Sequence, residues 1–377
     1  MNHKKKAQFQ KICEGDSSLF VYNTLQFTKG PGKKQGIPFY NPAMEMNRDI
    51  SINVLQYLVD STIRPITVLD GLASSGIRAV RFLNEIDGYF ALTINDWEDD
   101  AFFLIKKNTE QFSKKQVTIT QENIHTLLSN NHYDYIDIDP FGSPATYIDS
   151  ALRSISKNGI LAVTATDTAT LCGVYPKVCN RRYNAVPAHG INMHEIGLRI
   201  LIGFIGRQAG KFDKGIKPLF CYSTDHYMRC YIQILKGVTY ANETQGYISL
   251  ISSKTIPCQE KKKEKIIGPL WMKEIHNKQF LEKIKIISES KKLNSKKQLM
   301  KLFDVCIQEA DMPAFYYSTD ALSKELKVSP PPRNLLFQAI KEKKFAISQT
   351  HFDSTGFKTD APFEQIKSIF IDLTKKC

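Results

Sequence analysis

Five short apolar segments, each separated from the next by a helical pattern, constrain the fold of this chain more than any other feature. They are Ile66–Asp70, Phe90–Asp96, Val117–Thr120, Tyr135–Ile138 and Gly159–Thr166. Strands that alternate with helices build a mostly parallel sheet, because each helix carries the chain back to begin the next strand in the same direction. Polar residues follow three of these segments, and ligands of open α/β sheets bind at the carboxyl ends of the strands. The pattern therefore predicts an α/β fold with a site at that edge.

The first segment ends at Asp70 and runs into a turn of small residues, Gly71–Gly76, before a helical pattern. This order is the opening of a doubly wound nucleotide-binding fold. The turn matches neither the G-x-G-x-x-G fingerprint nor a phosphate-binding P-loop, which argues against a dinucleotide ligand. The second segment ends at Asp96, where an acid can accept hydrogen bonds from two ribose hydroxyls. The alternative for both acids is that they only cap helices.

The fourth segment leads directly into Asp139-Pro140-Phe141-Gly142. Pro140 cannot continue a strand ladder, so the chain must turn there and present Asp139 at the strand's end. A carboxylate beside a proline and an aromatic ring suits chemistry on a flat amine, because the acid can accept N–H groups and the ring can stack. On their own, the same residues would also suit an ordinary turn.

Beyond the fifth segment, Lys217–Thr224 and Tyr227–Leu235 predict an antiparallel hairpin around Asp225-His226. A parallel sheet that ends in a hairpin is typical of S-adenosylmethionine-dependent methyltransferases and unlike dehydrogenases. After Lys236 the alternation of strands and helices gives way to a different pattern. We therefore place a domain boundary there, with one domain over 1–236 and a second over 237–377.

The second domain is smaller and of α+β pattern. Gly268–Trp271 is predicted to start a helical region that extends to about Ala310, after an exposed linker at Lys254–Lys265. Asp320–Val328 and Arg333–Lys341 predict a helix–turn–helix, and the segments at 345–349 and 356–359 predict a hairpin. Together they indicate a winged-helix-like part.

The formal net charge of +13 is concentrated in this second domain. From Lys236 onward the chain has 25 basic and 16 acidic residues, against 26 and 22 before it. Residues 256–301 alone contain 13 basic and 5 acidic side chains. Such a cluster indicates a polyanionic partner, with nucleic acid first. The alternative is that the lysines only solvate surface helices.

The composition argues against secretion and membrane insertion. No run of about 18 apolar residues is present, and no apolar core follows the basic start of the chain. The eight cysteines are scattered without a C-x-x-C pair, which fits a reducing compartment rather than a disulfide framework or zinc ribbon. We therefore expect an intracellular, cytoplasmic protein without a membrane partner.

Several motifs occur together, in order, along nearly the whole chain from Phe39 onward. They are Phe39-Tyr40-Asn41-Pro42, Asn47-Arg48-Asp49, Asp70 through Arg78, Asp139-Pro140-Phe141-Gly142-Ser143-Pro144, Thr164–Asp167, Leu171-Cys172-Gly173, His194–Gly197, Asp225-His226-Tyr227, Gly268–Trp271, His351-Phe352 and Thr355–Thr359. The set closely resembles the tRNA (guanine-N2)-dimethyltransferases that modify the guanine at position 26. Asp-Pro-Phe-Gly-Ser-Pro is the most specific element of the match.

The resemblance implies a Rossmann-like class I methyltransferase domain, S-adenosyl-L-methionine as methyl donor, and a C-terminal domain that grips tRNA. It implies that Arg48 contacts the methionine carboxylate, that Asp70 lies beside the methionine portion, and that Asp96 binds the ribose hydroxyls. Asn123 and Ile124 would border the adenine. Some relatives carry a cysteine-rich zinc element in the C-terminal domain, but Cys258 stands alone here, so we expect no metal.

The same resemblance assigns the chemistry. Asp139 would be the catalytic acid, with the Pro140 carbonyl beside it, and Phe39 and Phe141 would enclose the guanine ring. We therefore expect a monomeric enzyme that transfers one or two methyl groups to the exocyclic N2 of guanine 26. The alternatives are an amino-methyltransferase for another guanine, and a non-catalytic RNA-binding protein on a methyltransferase scaffold.

Overall fold

Strands and helices alternate through the first two thirds of the chain, as the sequence pattern predicts. The computed structural model describes residues 9–23, 38, 40–113, 115–224, 226–258 and 264–376. The strands are β1 (Phe9–Glu14), β2 (Ser17–Tyr22), β3 (Ile66–Asp70), β4 (Phe90–Asn95), β5 (Val117–Thr120), β6 (Tyr133–Ile138), β7 (Ile155–Ala165), β8 (Lys214–Ser223), β9 (Met228–Lys236), β10 (Ile248–Ser252), β11 (Ile266–Trp271), β12 (Tyr317–Ser318), β13 (Ile347–Gln349) and β14 (Gly356–Thr359). The helices are α1 (Glu45–Asp60), α2 (Ile77–Glu85), α3 (Asp99–Thr109), α4 (Ile124–Asn130), α5 (Ala145–Ser154), α6 (Thr168–Leu171), α7 (Pro176–Tyr183), α8 (Met193–Gly210), α9 (Val238–Gly246), α10 (Lys278–Ser290), α11 (Lys296–Glu309), α12 (Thr319–Leu326), α13 (Arg333–Glu342) and α14 (Phe363–Lys376).

Seven strands form one sheet in the order β5-β4-β3-β6-β7-β9-β8. The first five are mutually parallel, while β9 runs antiparallel to β7 and β8 antiparallel to β9. The predicted parallel sheet with a terminal hairpin is therefore confirmed. Because the parallel strands point the same way, the residues that follow β3, β4, β6 and β7 meet at one edge.

Strand β6 lies in the middle of the sheet and is buried along its whole length. Tyr135 faces a core layer that includes α1 and α2. Ile136 and Ile138 face the opposite layer, which includes α5 and α8. Burial on both faces requires that its two acids, Asp134 and Asp137, be paired, and they bind Arg64 and Arg229.

The elements that follow β9 extend these same layers. Helices α10 and α11 bury Phe280 and Phe303 in the layer of α1. The segment around Gly268 differs from the prediction: it forms β11, antiparallel to β10, and the helix starts at Lys278. Its extended backbone fits the close approach to α8, where a Cβ on Gly203 would lie 3.1 Å from the Trp271 amide nitrogen.

Residues 317–376 form a separate hydrophobic cluster from α12, α13, α14 and a small sheet in the order β12-β14-β13. The predicted helix–turn–helix and hairpin are both present here. We call residues 317–376 the C-terminal module.

A cluster of buried charges joins this module to the rest of the protein. Lys358 of β14 lies 2.8 Å from Glu195 of α8 and 3.9 Å from Glu309 of α11. His351 donates its backbone N–H to Glu309 over 2.8 Å, and its Nδ1 lies 2.9 Å from the same carboxylate. These four side chains are at most 2% exposed. We call them the buried ion cluster.

Some lysines of the lysine-rich stretch 256–301 pair with acids from the first hundred residues. The Lys291 ammonium lies 2.9 Å from Asp87 and donates to the Glu85 carbonyl over 2.6 Å, and Lys292 lies 3.0 Å from Asp16. Part of this charge therefore pairs with acidic residues that precede Lys236, and of the two lysines only Lys291 is largely buried. Among the described helices, none has the length and apolarity required to span a bilayer.

Candidate active site

A cavity of about 550 Å³ opens at the carboxyl edge of the sheet. Of the nine residues predicted to form the site, Phe39 lies outside the described residues. The other eight all line this one cavity: Arg48, Asp70, Asp96, Asn123, Ile124, Asp139, Pro140 and Phe141. Residues that are up to 93 positions apart are therefore within one binding site.

Asp70, the last residue of β3, is 3% exposed. Its Oδ2 atom is buried and accepts no hydrogen bond within the described part of the chain. Burial raises the pKa of Asp70 to about 7, against the opposing effect of the Arg78 guanidinium. A buried carboxylate with an unused oxygen is suited to a cationic ligand.

The next two strand ends provide a more polar wall. Asp96 is half-buried, and its carboxylate accepts the Ser74 and Glu98 backbone N–H groups at 2.7 and 3.0 Å. Asn123 caps α4 through a 2.9 Å hydrogen bond from the His125 amide. The adjacent Ile124 is 6% exposed and supplies an apolar surface to the same cavity.

Arg48 is held by an acid far away in the sequence. Its Nε and Nη2 atoms each donate to the Glu14 carboxylate over 2.6 Å, and Nη2 also reaches the Asn41 carbonyl. Burial raises the pKa of Glu14, but Arg48 and Arg81 outweigh it, and the net pKa is lowered. The N-terminal hairpin β1–β2 thus fixes the orientation of Arg48 at the cavity wall.

Asp139 follows β6 and forms an ion pair through Oδ2 with Arg78. Arg78 also donates to the Ser51 hydroxyl over 2.5 Å and to the Asn47 side-chain carbonyl over 3.0 Å, and its Nε lies 3.5 Å from Asp137. The Oδ1 atom of Asp139 accepts no hydrogen bond from the described residues, and the side chain is 22% exposed. One oxygen of the carboxylate is therefore oriented by the protein and the other is available to a ligand.

A second ion pair lies directly beneath this site. Asp137, two positions before Asp139 and 3.5 Å from the same Arg78, binds Arg229, with Oδ2 at 2.6 Å and Oδ1 at 3.1 Å. Neither side chain is exposed. Burial raises the pKa of Asp137, but Arg229 and Arg78 outweigh it and hold the pKa below its usual value.

The loop after Asp139 is anchored on the neighbouring strand tip. The Gly142 amide donates to the Thr166 hydroxyl over 2.7 Å, and the Thr166 amide donates to the Gly142 carbonyl over 3.0 Å. Gly142 has a φ of +86°, which disfavours any residue with a Cβ. Ser143 donates to the Tyr183 hydroxyl, which in turn donates to Asp167, both over 2.8 Å. Phe141 is 49% exposed at the rim of the cavity.

Four further rings line the cavity that the sequence did not single out as ligands: Trp97, His125, Tyr147 and His226. His125 lies in α4, directly after Ile124. Trp97 directly follows Asp96 at a strand end, and this position was a signal that could have identified it. Tyr147 and His226 come from α5 and the β8–β9 hairpin, and only the folded topology brings them to the site.

One cluster outside the cavity has side chains of the kinds that bind metal ions, and it bears on the expectation that no metal is needed. Side-chain ligand atoms of His276, Cys306 and His351 lie within 4.8 Å of one another. Glu309 lies 3.2 Å from His276 and 2.9 Å from His351, and the Lys358 ammonium is nearby. Among the described residues, these side chains form a hydrogen-bonded ion cluster. The positive charge of Lys358 would repel a divalent metal ion placed there.

Comparison with known proteins places this site in context. The family model described as N2,N2-dimethylguanosine tRNA methyltransferase matches residues 25–371. The tRNA (guanine(26)-N(2))-dimethyltransferase of Methanobrevibacter smithii is 40% identical over 356 residues, which are 89% of this chain and 92% of the relative. The enzyme of the same name from Pyrococcus abyssi is 37% identical over 350 residues, 86% of this chain and 90% of the relative.

A solved structure agrees over nearly the whole molecule. It is that of Trm1 from Pyrococcus horikoshii in complex with S-adenosyl-L-methionine, with a TM-score of 0.85 and 33% identity. The match covers 96% of this chain and 99% of that chain.

Proposed function

Because the chain belongs to the N2,N2-dimethylguanosine tRNA methyltransferase family, we propose that it transfers methyl groups from S-adenosylmethionine to N2 of guanine 26 in tRNA. One observation carries the proposal: a single cavity contains both the strand-end acids expected to bind the donor and the Asp139–Phe141 loop expected to bind the base.

The residues present fit the donor. A cavity of about 550 Å³ is within the usual size for a ligand of this class. The unpartnered Oδ2 of Asp70 would meet the positive charge of the donor's methionine portion. Arg48 would bind the carboxylate, Asp96 the ribose hydroxyls, and Asn123 with Ile124 would border the adenine. When bound, S-adenosylmethionine supplies an electrophilic methyl group on a positively charged sulfur.

The chain's own residues then prepare the nucleophile. The lone pair of guanine N2 is delocalised into the ring, so the amine needs strong acceptors for its hydrogens. Asp139 Oδ1 and the Pro140 carbonyl would accept the two N–H groups, and Phe141 would stack on the base. As nitrogen bonds to the methyl carbon and the sulfur–methyl bond breaks, one N2 proton passes to Asp139. Arg78 holds the other carboxylate oxygen throughout.

The proposal predicts that the purified protein methylates unmodified tRNA. Nuclease digestion and mass spectrometry should place the label at guanine 26, and a reaction run to completion should separate monomethyl- from dimethylguanine. A product found only at another guanine would exclude position 26 as the target. Absence of any product with a bound donor would favour a non-catalytic RNA-binding role.

Donor affinity should rise with pH between about 6 and 8. Burial, together with Asp137, Asp139 and Asp96, raises the Asp70 pKa to about 7 against Arg78. Below pH 7 the Asp70 carboxyl of the ligand-free protein is protonated, so binding the cationic donor must release that proton. For each pH unit below 7, the Kd of the donor should therefore increase by up to tenfold. Calorimetry in buffers of different ionisation enthalpy measures the proton release. Asp70→Asn should bind weakly with a flat profile between pH 6 and 7, and an equal slope in both proteins would contradict the assignment.

The same raised pKa has a consequence for the ligand-free protein. Since the folded pKa exceeds the unfolded value of 3.8, the stability contributed by Asp70 is complete below about pH 4. It is lost as the pH rises through 7, where the charge becomes buried without a partner. When the donor is bound, the protein should no longer lose stability as the pH rises through 7.

We further propose that residues 237–377 hold the tRNA. Exposed lysines of the C-terminal module support this role: Lys324, Lys327, Lys341, Lys343 and Lys344. We also propose a cytoplasmic monomer that needs no metal, which light scattering and metal analysis of the purified protein would check.

A further inference from the structure

A short basic segment lies beside the Asp139 loop, and the function described above does not use it. The 27 residues from Thr168 to His194 contain three basic and no acidic side chains. The three cations all belong to α7, which follows the strand tip that anchors Gly142. This local charge is separate from the lysine-rich second domain.

The exposed side chains of this segment share the chemistry of an RNA surface. Val174 and Tyr175, in the turn before α7, are 51% and 56% exposed. Lys177 and Arg181 are exposed and lie four positions apart, which puts them on one side of the helix. Among the described residues neither forms an ion pair, whereas Arg182 contacts Asp167 at 3.1 Å.

The segment is rigidly connected to the catalytic loop. Tyr183, the last residue of α7, is buried and links Asp167 to Ser143 through two 2.8 Å hydrogen bonds. A helix of eight residues is about 12 Å long. The cations therefore lie within about one helix length of the loop that carries Asp139.

We propose that Val174, Tyr175, Lys177 and Arg181, the α7 surface, bind the tRNA strand on either side of the target guanosine. The inference rests on the proposed function, since it places the RNA over the same cavity. Lys177 and Arg181 contact backbone phosphates, and Tyr175 stacks on an unpaired neighbouring base. The C-terminal module supplies general affinity, and the α7 surface positions the nucleotide that enters the pocket.

Charge reversal tests the phosphate contacts. The variant Lys177→Glu/Arg181→Glu should raise the Kd for unmodified tRNA at least tenfold, and the slope of log Kd against log salt should fall by about 1 to 2. The Kd for S-adenosylmethionine should not change. Arg182 is left in place, because it contacts Asp167 and its loss would disturb the loop.

The matched control is Lys157→Glu/Lys217→Glu. Both lysines are exposed, and the strand register places them at the opposite edge of the sheet, level with the start of β7. The control makes the same change in net charge, so it reports the long-range effect alone. Equal losses of affinity and of salt slope in the two variants would overturn the proposal.

Crosslinking provides a second measurement, in which the position of the crosslink is compared with the position of methylation. A benzophenone amino acid at position 174 should crosslink to nucleotides next to the guanosine that the wild-type enzyme methylates. Crosslinks confined to distant parts of the tRNA would overturn the α7 surface. Since tRNA binding is measured directly, a wild-type protein that binds tRNA without methylating it would refute the proposed function and not this surface.

Discussion

Replacing Asp139 with asparagine is expected to lower kcat by about 10²–10⁴-fold, the usual loss for a positioned proton acceptor. Asparagine keeps the size of the side chain, but its amide cannot take the proton that leaves guanine N2. It also places a donor beside Arg78, where the structure has an ion pair. Single-turnover methylation of tRNA at saturating donor would measure the chemical step directly.

Measuring donor affinity in wild type and in Asp139→Asn separates an effect on the chemical step from an effect on binding. Asp139 lies at the end of the cavity proposed to bind the base, so the Kd of S-adenosylmethionine should change by less than about threefold in this variant. A variant that retains activity within threefold of wild type would show that Asp139 does not accept the proton. A large loss of donor affinity would instead place Asp139 in the donor site.

Replacing Arg229 with methionine is expected to cost about 3–5 kcal/mol in the free energy of unfolding. Arg229 pairs with Asp137 over 2.6 Å, and neither side chain is exposed. Methionine fills similar space but leaves the buried Asp137 carboxylate with the Tyr135 hydroxyl and, as its cation, the more distant Arg78, 3.5 Å away. Removing one partner of a buried pair leaves an uncompensated charge, which is the costly outcome. Urea denaturation would measure the change.

Two companion variants test the cause. Arg229→Met/Asp137→Asn removes both charges, so it should be more stable than Arg229→Met alone. Arg153→Met breaks an exposed pair with Asp149, 63% and 44% exposed, and should change stability by less than about 1 kcal/mol. If Arg229→Met were as stable as Arg153→Met, the buried pair would not support the core of the sheet.

Strand-end residues could be predicted because short-range patterns determine them. An apolar strand followed by an acid and a turn identifies Asp70, Asp96 and Asp139 without any knowledge of the sheet order. The parallel arrangement then brings their tips together, since right-handed connections leave few alternatives. The cavity contains all three for this reason.

Side-chain pairing across the fold could not be predicted in the same way. Arg48 was expected to be open to an anion, yet Glu14 binds it from a hairpin that the sequence did not reveal. Arg229 meets Asp137 across 92 positions. Hydrophobic periodicity indicates which face of an element is buried, but it carries no information on which distant charge will meet it.

The Gly268 segment shows another limit. It was predicted as the start of a helix, whereas it forms a strand whose conformation depends on packing against β10 and α8. Short apolar segments do not distinguish strand from helix by themselves, and tertiary contacts decide the outcome.

The buried ion cluster has a consequence for how a target nucleotide is chosen. Lys358, Glu195 and Glu309 are removed from water, so buried charges hold the C-terminal module to α8 and α11 at this junction. We therefore expect a constant distance between the surface proposed to hold the tRNA and the cavity proposed for methyl transfer. We expect such an enzyme to select a guanosine by its distance from a remote part of the tRNA as much as by the nucleotides next to it.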